Sequence, residues 1–327
     1  MKNLVQNFTG QLREALQIGS AAKLTEANRS FKNILVTGLG GSGIGGSILS
    51  DVVAPEVKIP VLINKDYFLP NFVDADTLLI ACSYSGNTEE TLMALEEAER
   101  CQAKIVCVSS GGRMLEIAAA KGYDHIRIPG GLPPRACLGY SLPQLFFVLH
   151  HFGLIGAHYL EQFKAAAVQL DAEEADIVKR AGDATKLLFN KIPVIYSVAG
   201  YEGVAVRFRQ QINENSKELC WHHVVPEMNH NELVGWKGER DNLAVVILRN
   251  EDDYERSQTR IGINKEIMAK CNPTILELHS KGNTRLERSL YTIHLTDWIS
   301  VLLAELKNID PVEVKVIDYL KGELSKN

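Results

Sequence analysis

Two short loops in the sequence carry groups that can hold an anion. Segment 83–91, SYSGNTEET, supplies hydroxyls directly after an apolar run, and segment 36–46, VTGLGGSGIGG, supplies glycines after another. Hydroxyls and glycine N–H groups at the start of a helix are suited to binding a phosphate. The candidate phosphate-binding residues are Gly41, Ser42, Ser83, Ser85 and Thr88. Neither loop contains a lysine, which argues against an ATP-type P-loop and favours a phosphate monoester.

Two other interpretations of these loops are open. The G-x-G-x-x-G spacing at 38–43 matches the dinucleotide-binding fingerprint, and Asp66 lies near the position where an acidic residue would meet a ribose. The small polar residues could also serve only packing and helix capping, with Asn87 as the N-cap of the helix that follows. Capping accounts for Asn87 and leaves the three hydroxyls of the same loop unexplained.

The elements that must position these loops alternate between strands and helices. The predicted strands are 32–38, 59–64, 76–82, 103–110 and 123–130. This alternation predicts a parallel sheet with helices on both faces. Ligands of such sheets bind beyond the carboxyl ends of the strands. Both anion-binding loops follow strands directly, so we expect them to lie at the same edge of one sheet.

A second unit of the same kind begins near residue 191. Segment 241–282 repeats the order of 76–112: an aspartate, an apolar run, a polar loop, a helix, a second strand and a glycine. This pattern indicates an internal duplication. The second copy has RNEDD where the first has hydroxyls, so a shared fold does not require them. The predicted organisation is an N-terminal unit 1–155, a connecting helical segment 156–190 and a C-terminal unit 191–327.

Composition limits the classes of protein. The chain of 327 residues is 46% hydrophobic and 23% charged with a net charge of −5, and it has no basic block that indicates nucleic acid. No apolar stretch approaches the ~20 residues that span a bilayer, and the start lacks a signal-peptide pattern. The six cysteines form no CxxC pair and are typical of buried thiols in a reducing compartment. We therefore expect a cytoplasmic protein with no membrane partner.

The two loops together resemble a known domain. GLGGSGIGG with SYSGNTEET is similar to the sugar-isomerase (SIS) domain, which binds phosphosugars. With two such units, the chain resembles the bifunctional phosphoglucose/phosphomannose isomerases of the phosphoglucose isomerase superfamily. Further matching stretches are PPRACLGY (133–140), NENSK (213–217), PEMNHNE (226–232) and IDYLKGEL (317–324). The resemblance implies an α/β fold of two SIS-type subdomains, each a parallel-sheet αβα sandwich with helices on both faces.

The resemblance also implies a reaction. Members of the family interconvert glucose 6-phosphate or mannose 6-phosphate with fructose 6-phosphate by moving a proton through a cis-enediol intermediate. Glu214 matches the base of the family, and Arg135 matches the arginine that stabilises the enediolate. His230 matches the ring-opening histidine, which comes from the partner subunit of a homodimer, and Lys321 matches the lysine that assists it. No cofactor is expected, because these residues supply acid, base and cation.

Several alternatives remain open. A non-catalytic phosphosugar-binding SIS regulator would share the fold, and a dinucleotide-dependent oxidoreductase would share the glycine loop. The histidines at 222, 223 and 230 with Glu227 fit no zinc spacing, so no metal is expected. Val312 stands where several relatives carry a threonine associated with the mannose epimer, which leaves activity on mannose 6-phosphate less secure than activity on glucose 6-phosphate.

Overall fold

The computed structural model describes residues 1–27, 29–324 and 326. Two parallel sheets organise these residues. The first sheet contains β1 (Asn33–Thr37), β2 (Val61–Asn64), β3 (Thr77–Cys82), β4 (Lys104–Ser109) and β5 (Asp124–Arg127). The second contains β6 (Ile192–Val198), β7 (Trp221–Val225), β8 (Leu243–Arg249) and β9 (Thr274–His279). All strand pairs in both sheets are parallel, which confirms the predicted fold class.

The helices lie between the strands and at both ends of the described chain. They are α1 (Lys2–Gln6), α2 (Phe8–Ala21), α3 (Gly40–Val53), α4 (Glu89–Arg100), α5 (Gly112–Lys121), α6 (Leu138–His151), α7 (His158–Leu188), α8 (Glu202–Ser216), α9 (Glu255–Ala269), α10 (Arg285–Leu306) and α11 (Lys315–Leu324). Single 3₁₀ turns occur at Pro134–Ala136, Glu227–His230 and Glu232–Gly235. None of the helices in the described part of the chain is long and apolar enough to cross a membrane.

The two sheets share one topology. Their strand orders are β2-β1-β3-β4-β5 and β7-β6-β8-β9, so the first four strands of each unit occupy equivalent positions. This agrees with the internal duplication read from the sequence. The sequence pattern does not predict strand β7, because WHHVV carries two histidines and lacks the apolar run of the neighbouring strands. In the structure this strand is only partly buried.

The two units share a continuous apolar core, and close helix packing joins them. Apolar side chains of both sheets belong to one buried cluster. Helix α3 of the first unit crosses α8 of the second at Gly203, where an added Cβ would lie 2.8 Å from the backbone nitrogen of Ile48. The Gly203 N–H donates to the Asp51 carboxylate at 2.7 Å. This crossing fixes α8 relative to the first sheet, and α8 carries Glu214.

Candidate active site

The two candidate phosphate-binding loops lie side by side. Strands β1 and β3 are adjacent and parallel, so the loops that follow them leave the same carboxyl edge of the sheet. The backbone N–H of Tyr84 donates to the Ser42 hydroxyl at 2.9 Å and joins the loops directly. The expected proximity of the loops is therefore present in the fold. Their binding of phosphate remains a prediction.

The glycines of the first loop permit close packing of backbone on backbone. An added Cβ at Gly43 would lie 2.0 Å from the carbonyl oxygen of Gly38, at the sharp turn from β1 into α3. At Gly41 it would lie 3.1 Å from both the Cα of Arg135 and the carbonyl carbon of Pro134. The fingerprint spacing thus meets a steric need of the turn, and Gly41 brings the arginine's backbone against the loop.

The hydroxyl-rich loop is partly folded on itself. Ser83 is only 1% exposed, and its Oγ lies 2.8 Å from Thr88 Oγ1. The same Oγ accepts a hydrogen bond from the Gly86 N–H at 3.1 Å. Ser85 is exposed, and both Ser85 and Thr88 line an open cleft. Ser83 therefore supports the loop, whereas Ser85 and Thr88 are accessible to a ligand.

The alternative interpretation in which Asn87 caps the following helix is wrong. Helix α4 begins at Glu89, and Thr88 occupies the N-cap position. The Asn87 Oδ1 instead accepts a hydrogen bond from the backbone N–H of Arg113 at 3.0 Å. That N–H belongs to the first turn of α5, whose early N–H groups have no partner within the helix. The next helix of the chain, α5, thus binds the side chain that local rules assign to α4.

Arg135 is a buried side chain that joins its own segment to two others. Its Nε donates to Asn215 Oδ1 at 2.7 Å, and its Nη1 donates to Glu214 Oε2 at 3.3 Å. Its Nη2 donates to the carbonyl oxygens of Pro311 and Val312. Burial lowers the pKa of the Arg135 guanidinium, and the charge of the Glu214 carboxylate opposes that shift. An arginine stays charged under such shifts, so a fixed positive charge stands beside the glutamate.

Two clefts flank the terminal helix α11. One, of about 640 Å³, is lined by Lys321 together with Ser85 and Thr88 of the hydroxyl-rich loop. The other, of about 610 Å³, is lined by Glu214 and by the residues that lead into α11. Ile317 lines both clefts. The structure therefore places Lys321 in the cleft at the hydroxyl-rich loop and Glu214 in the other cleft.

His230 is exposed at the end of a 3₁₀ turn and lines neither cleft. Its ring forms no hydrogen bond with any other residue that the structure describes. A single chain thus brings together Arg135 and Glu214, and Lys321 with the candidate phosphate loop, but leaves His230 apart from both clefts.

The other histidines of this segment are directed to separate partners. His222 Nε2 lies 3.5 Å from Glu202 Oε1, and His223 Nδ1 accepts a hydrogen bond from the Val224 N–H. The Glu227 carboxylate accepts a hydrogen bond from Asn231. Across residues 1–27, 29–324 and 326, no three His, Cys, Asp or Glu side chains are grouped as metal ligands.

Comparison with known proteins identifies the family. Residues 177–324 match the family described as bacterial phospho-glucose isomerase C-terminal SIS domain. A bifunctional phosphoglucose/phosphomannose isomerase from Caldicellulosiruptor bescii is 39% identical over 98% of this chain and 98% of its own length. The enzyme of the same name from Aquifex aeolicus is 37% identical over 91% of this chain and 92% of its own. The chain belongs to the bifunctional phosphoglucose/phosphomannose isomerase family.

The membership confirms the family that the motifs indicated. The fold is shared more widely than the family. The C-terminal domain of glucosamine-fructose-6-phosphate aminotransferase from Francisella tularensis superposes with a TM-score of 0.73 over 95% of this chain and 98% of that one, at 16% identity. At that identity the likeness establishes the two-unit SIS fold alone.

In this member of the phosphoglucose/phosphomannose isomerase family, the candidate site is supported by further polar residues. Sequence reasoning did not assign these residues to the site. Arg207, Gln211 and Asn215 recur every four residues along α8, so they lie on one face of the helix. All three are buried. Lys217, just beyond α8, donates to the carbonyl oxygens of Glu214 and Glu313. Polar residues at helical spacing within a buried helix are the signal by which Arg207, Gln211 and Asn215 could have been predicted from the sequence.

The accessible hydroxyls give a first testable prediction for this isomerase-family site. Replacing Ser85 and Thr88 together with alanine is expected to raise the Michaelis constant for a phosphosugar about 10-fold or more. Each hydrogen bond to a charged group contributes ~1.5–3 kcal/mol to binding. Steady-state kinetics and thermal melting of the variant measure the two effects separately.

The matched control is Thr91→Val in the same segment. The Thr91 hydroxyl is buried and has no hydrogen-bond partner among the described residues, so its loss should leave the Michaelis constant unchanged. If the Ser85/Thr88 variant instead kept its Michaelis constant and lost only melting temperature, the hydroxyls would serve packing.

Proposed function

We propose that this protein is an aldose–ketose isomerase that interconverts glucose 6-phosphate, and also mannose 6-phosphate, with fructose 6-phosphate. The observation that carries the proposal is the contact between the buried Arg135 guanidinium and the Glu214 carboxylate. A proton carrier and a fixed cation are the two groups that enediol chemistry needs at one place. Full-length relatives named as bifunctional phosphoglucose/phosphomannose isomerases support the assignment and disfavour a non-catalytic regulator.

Glu214 is the proposed proton carrier. A carboxylate can take a proton from C2 and return it to C1. The side chain is 28% exposed, so it remains open to a substrate in the adjoining cleft. Its position in the last turn of α8 is set by the packing of that helix on α3.

Arg135 is the proposed stabiliser of the enediolate oxygen. Negative charge develops on that oxygen as the proton leaves carbon, and a pre-positioned cation lowers the energy of this state. Asn215 and the carbonyl oxygens of Pro311 and Val312 hold the guanidinium in one orientation. The cation therefore needs little reorganisation when the charge appears.

The phosphate and the ring-opening groups occupy the other part of the proposed site. Gly41, Ser42, Ser83, Ser85 and Thr88 are proposed to hold the phosphate or to shape the loops that do. Lys321, which lines the cleft at Ser85, is proposed to assist opening of the sugar ring. An imidazole can both donate and accept a proton, and opening the ring in this way is the role proposed for His230.

A direct assay tests the proposed function. Purified protein is incubated with glucose 6-phosphate or mannose 6-phosphate in buffer containing EDTA and no nicotinamide nucleotide, and fructose 6-phosphate is measured after quenching. Formation of the ketose is expected from both substrates. Binding of phosphosugar without turnover would support the regulator, and turnover only with added nucleotide would support the oxidoreductase.

A homodimer that shares its active sites is part of the proposal. The segment around His230 exposes large apolar side chains, including Val234 at 82% and Leu219 at 81%. Val316 of α11 is likewise 82% exposed. Exposed apolar groups of this size commonly mark an interface. We propose that a partner chain covers these apolar side chains and supplies its own His230 to the neighbouring subunit's Glu214.

Mixed dimers test this arrangement. Glu214→Gln and His230→Ala chains, each nearly inactive, are unfolded together and refolded as a mixture. If His230 acts across the interface, half of the dimers are mixed and half of their sites are intact, so about one quarter of wild-type activity returns. The separately refolded variants are the control. Absence of recovery in mixtures that contain mixed dimers would place His230 in the same subunit as its Glu214.

A further inference from the structure

A buried polar network lies behind Arg135, between α8 and α10. Arg207 Nη2 forms an ion pair with Asp297 Oδ2, and the two side chains are only 3% and 8% exposed. The amide of Gln211 donates to the other carboxylate oxygen of Asp297 at 2.9 Å. Both oxygens of this aspartate are thus occupied by side chains of α8. None of these three residues lines either cleft beside α11.

The network contacts Arg135 at its backbone. Arg207 Nη2 also donates to the carbonyl oxygen of Arg135 at 3.1 Å. On the other side, Gly41 packs against the Arg135 backbone, with a distance of 3.1 Å from an added Cβ to the Cα. The main chain at Arg135 is therefore held between the first phosphate loop and the Arg207 guanidinium.

The same part of α10 holds the Arg135 side chain through a second route. Asn215 Oδ1 accepts from Arg135 Nε, while Asn215 Nδ2 donates to Ser300 Oγ at 2.9 Å. Ser300 Oγ in turn donates to the carbonyl oxygen of Asp297 at 2.7 Å. Two chains of hydrogen bonds, one to the backbone and one to the guanidinium, thus start from one turn of α10.

We propose that Arg207, Asp297 and Ser300 are positioning residues that fix Arg135 beside Glu214. The inference rests on the proposed isomerase function and extends it to groups that do not touch the substrate. A buried ion pair adds little net stability, and well-packed apolar residues often replace one without loss of stability. The Arg207–Asp297 pair holds the backbone of Arg135, and in this proposal the orientation of the Arg135 guanidinium affects the rate. Apolar residues cannot make the hydrogen bonds that this role needs.

The first test replaces the network by apolar side chains. The triple variant Arg207→Met, Gln211→Leu, Asp297→Leu removes all three buried polar side chains together. None of them therefore remains buried without its partner. We expect it to keep a melting temperature near that of the wild type and a Michaelis constant within about threefold. We expect kcat to fall about 10–100-fold, because small misplacements of a catalytic group cost up to ~10² in rate.

A smaller change keeps the proposal falsifiable if the triple variant does not fold. Ser300→Ala removes one hydroxyl that links Asn215 to α10, and kcat is expected to fall about 3–10-fold with an unchanged Michaelis constant. Thr296→Val is the matched control, since the Thr296 hydroxyl is equally buried but bonds only to carbonyl oxygens of its own helix. Its kcat should equal that of the wild type.

Each outcome decides the proposal. A fall in kcat in Ser300→Ala and in the folded triple variant, without one in Thr296→Val, supports positioning. A wild-type kcat in Ser300→Ala, or equal losses in Ser300→Ala and Thr296→Val, overturns it. The wild-type protein is assayed alongside with glucose 6-phosphate: if it does not isomerise this substrate, the proposed function fails, whereas active wild type with unaffected variants refutes only the positioning role.

Discussion

Glu214→Gln is expected to lower kcat by about 10²–10⁴-fold with little change in the Michaelis constant. General-base removal typically has an effect of this size, because the amide keeps the shape of the side chain but cannot accept the C2 proton. The candidate phosphate-binding loops follow β1 and β3, whereas Glu214 lies in α8, so substrate binding should survive. An effect confined to kcat is the pattern of an interaction made in the transition state.

Deuterium exchange at C2 measures the proton transfer itself. The exchange, followed by NMR in deuterated buffer, should be abolished in Glu214→Gln. Glu227→Gln is the control, since Glu227 is an exposed carboxylate that lines neither cleft and whose bond to the Asn231 amide a glutamine oxygen can retain. Exchange that persisted in the Glu214 variant and vanished in the Glu227 variant would show that Glu227, and not Glu214, is the base.

Arg135→Lys is expected to lower kcat about 10²–10³-fold although the positive charge is retained. Removal of one donor that stabilises a transition-state charge commonly has an effect of this magnitude. A lysine ammonium is a single point of charge and cannot reproduce the planar fork that contacts Asn215, Glu214 and the carbonyl oxygen of Val312. The charge would remain near the glutamate without a fixed direction.

The same variant should also loosen the terminal helix. The guanidinium binds the carbonyl oxygens of Pro311 and Val312, just before α11 begins. Hydrogen exchange of α11 is therefore expected to rise in Arg135→Lys and to stay unchanged in Arg127→Lys, an exposed arginine at the end of β5. A wild-type kcat in Arg135→Lys would show that charge alone suffices and that the orientation of the fork does not matter.

The order of strands and helices was predictable because it follows from hydrophobic patterns within short segments. The strands β1, β3, β4, β6 and β8 are short apolar runs, and their alternation with helices is sufficient to predict parallel sheets. The loops after β1 and β3 could be placed at one sheet edge for the same reason. Local rules failed at Asn87, because its side chain accepts a hydrogen bond from the first turn of the next helix, α5, and does not cap α4.

The sequence by itself determined which residue types are available to the site and, through the family resemblance, their expected roles. Only the tertiary structure decided how they meet. Arg135 contacts Glu214 across 79 residues of sequence and Val312 across 177. No periodic pattern encodes such distances, because they depend on the crossing of α3 and α8 at Gly203 and on the return of the chain from α10 to the first unit. The buried network of Arg207 and Asp297 follows from the same docking, since two helices must pack before their polar faces can pair.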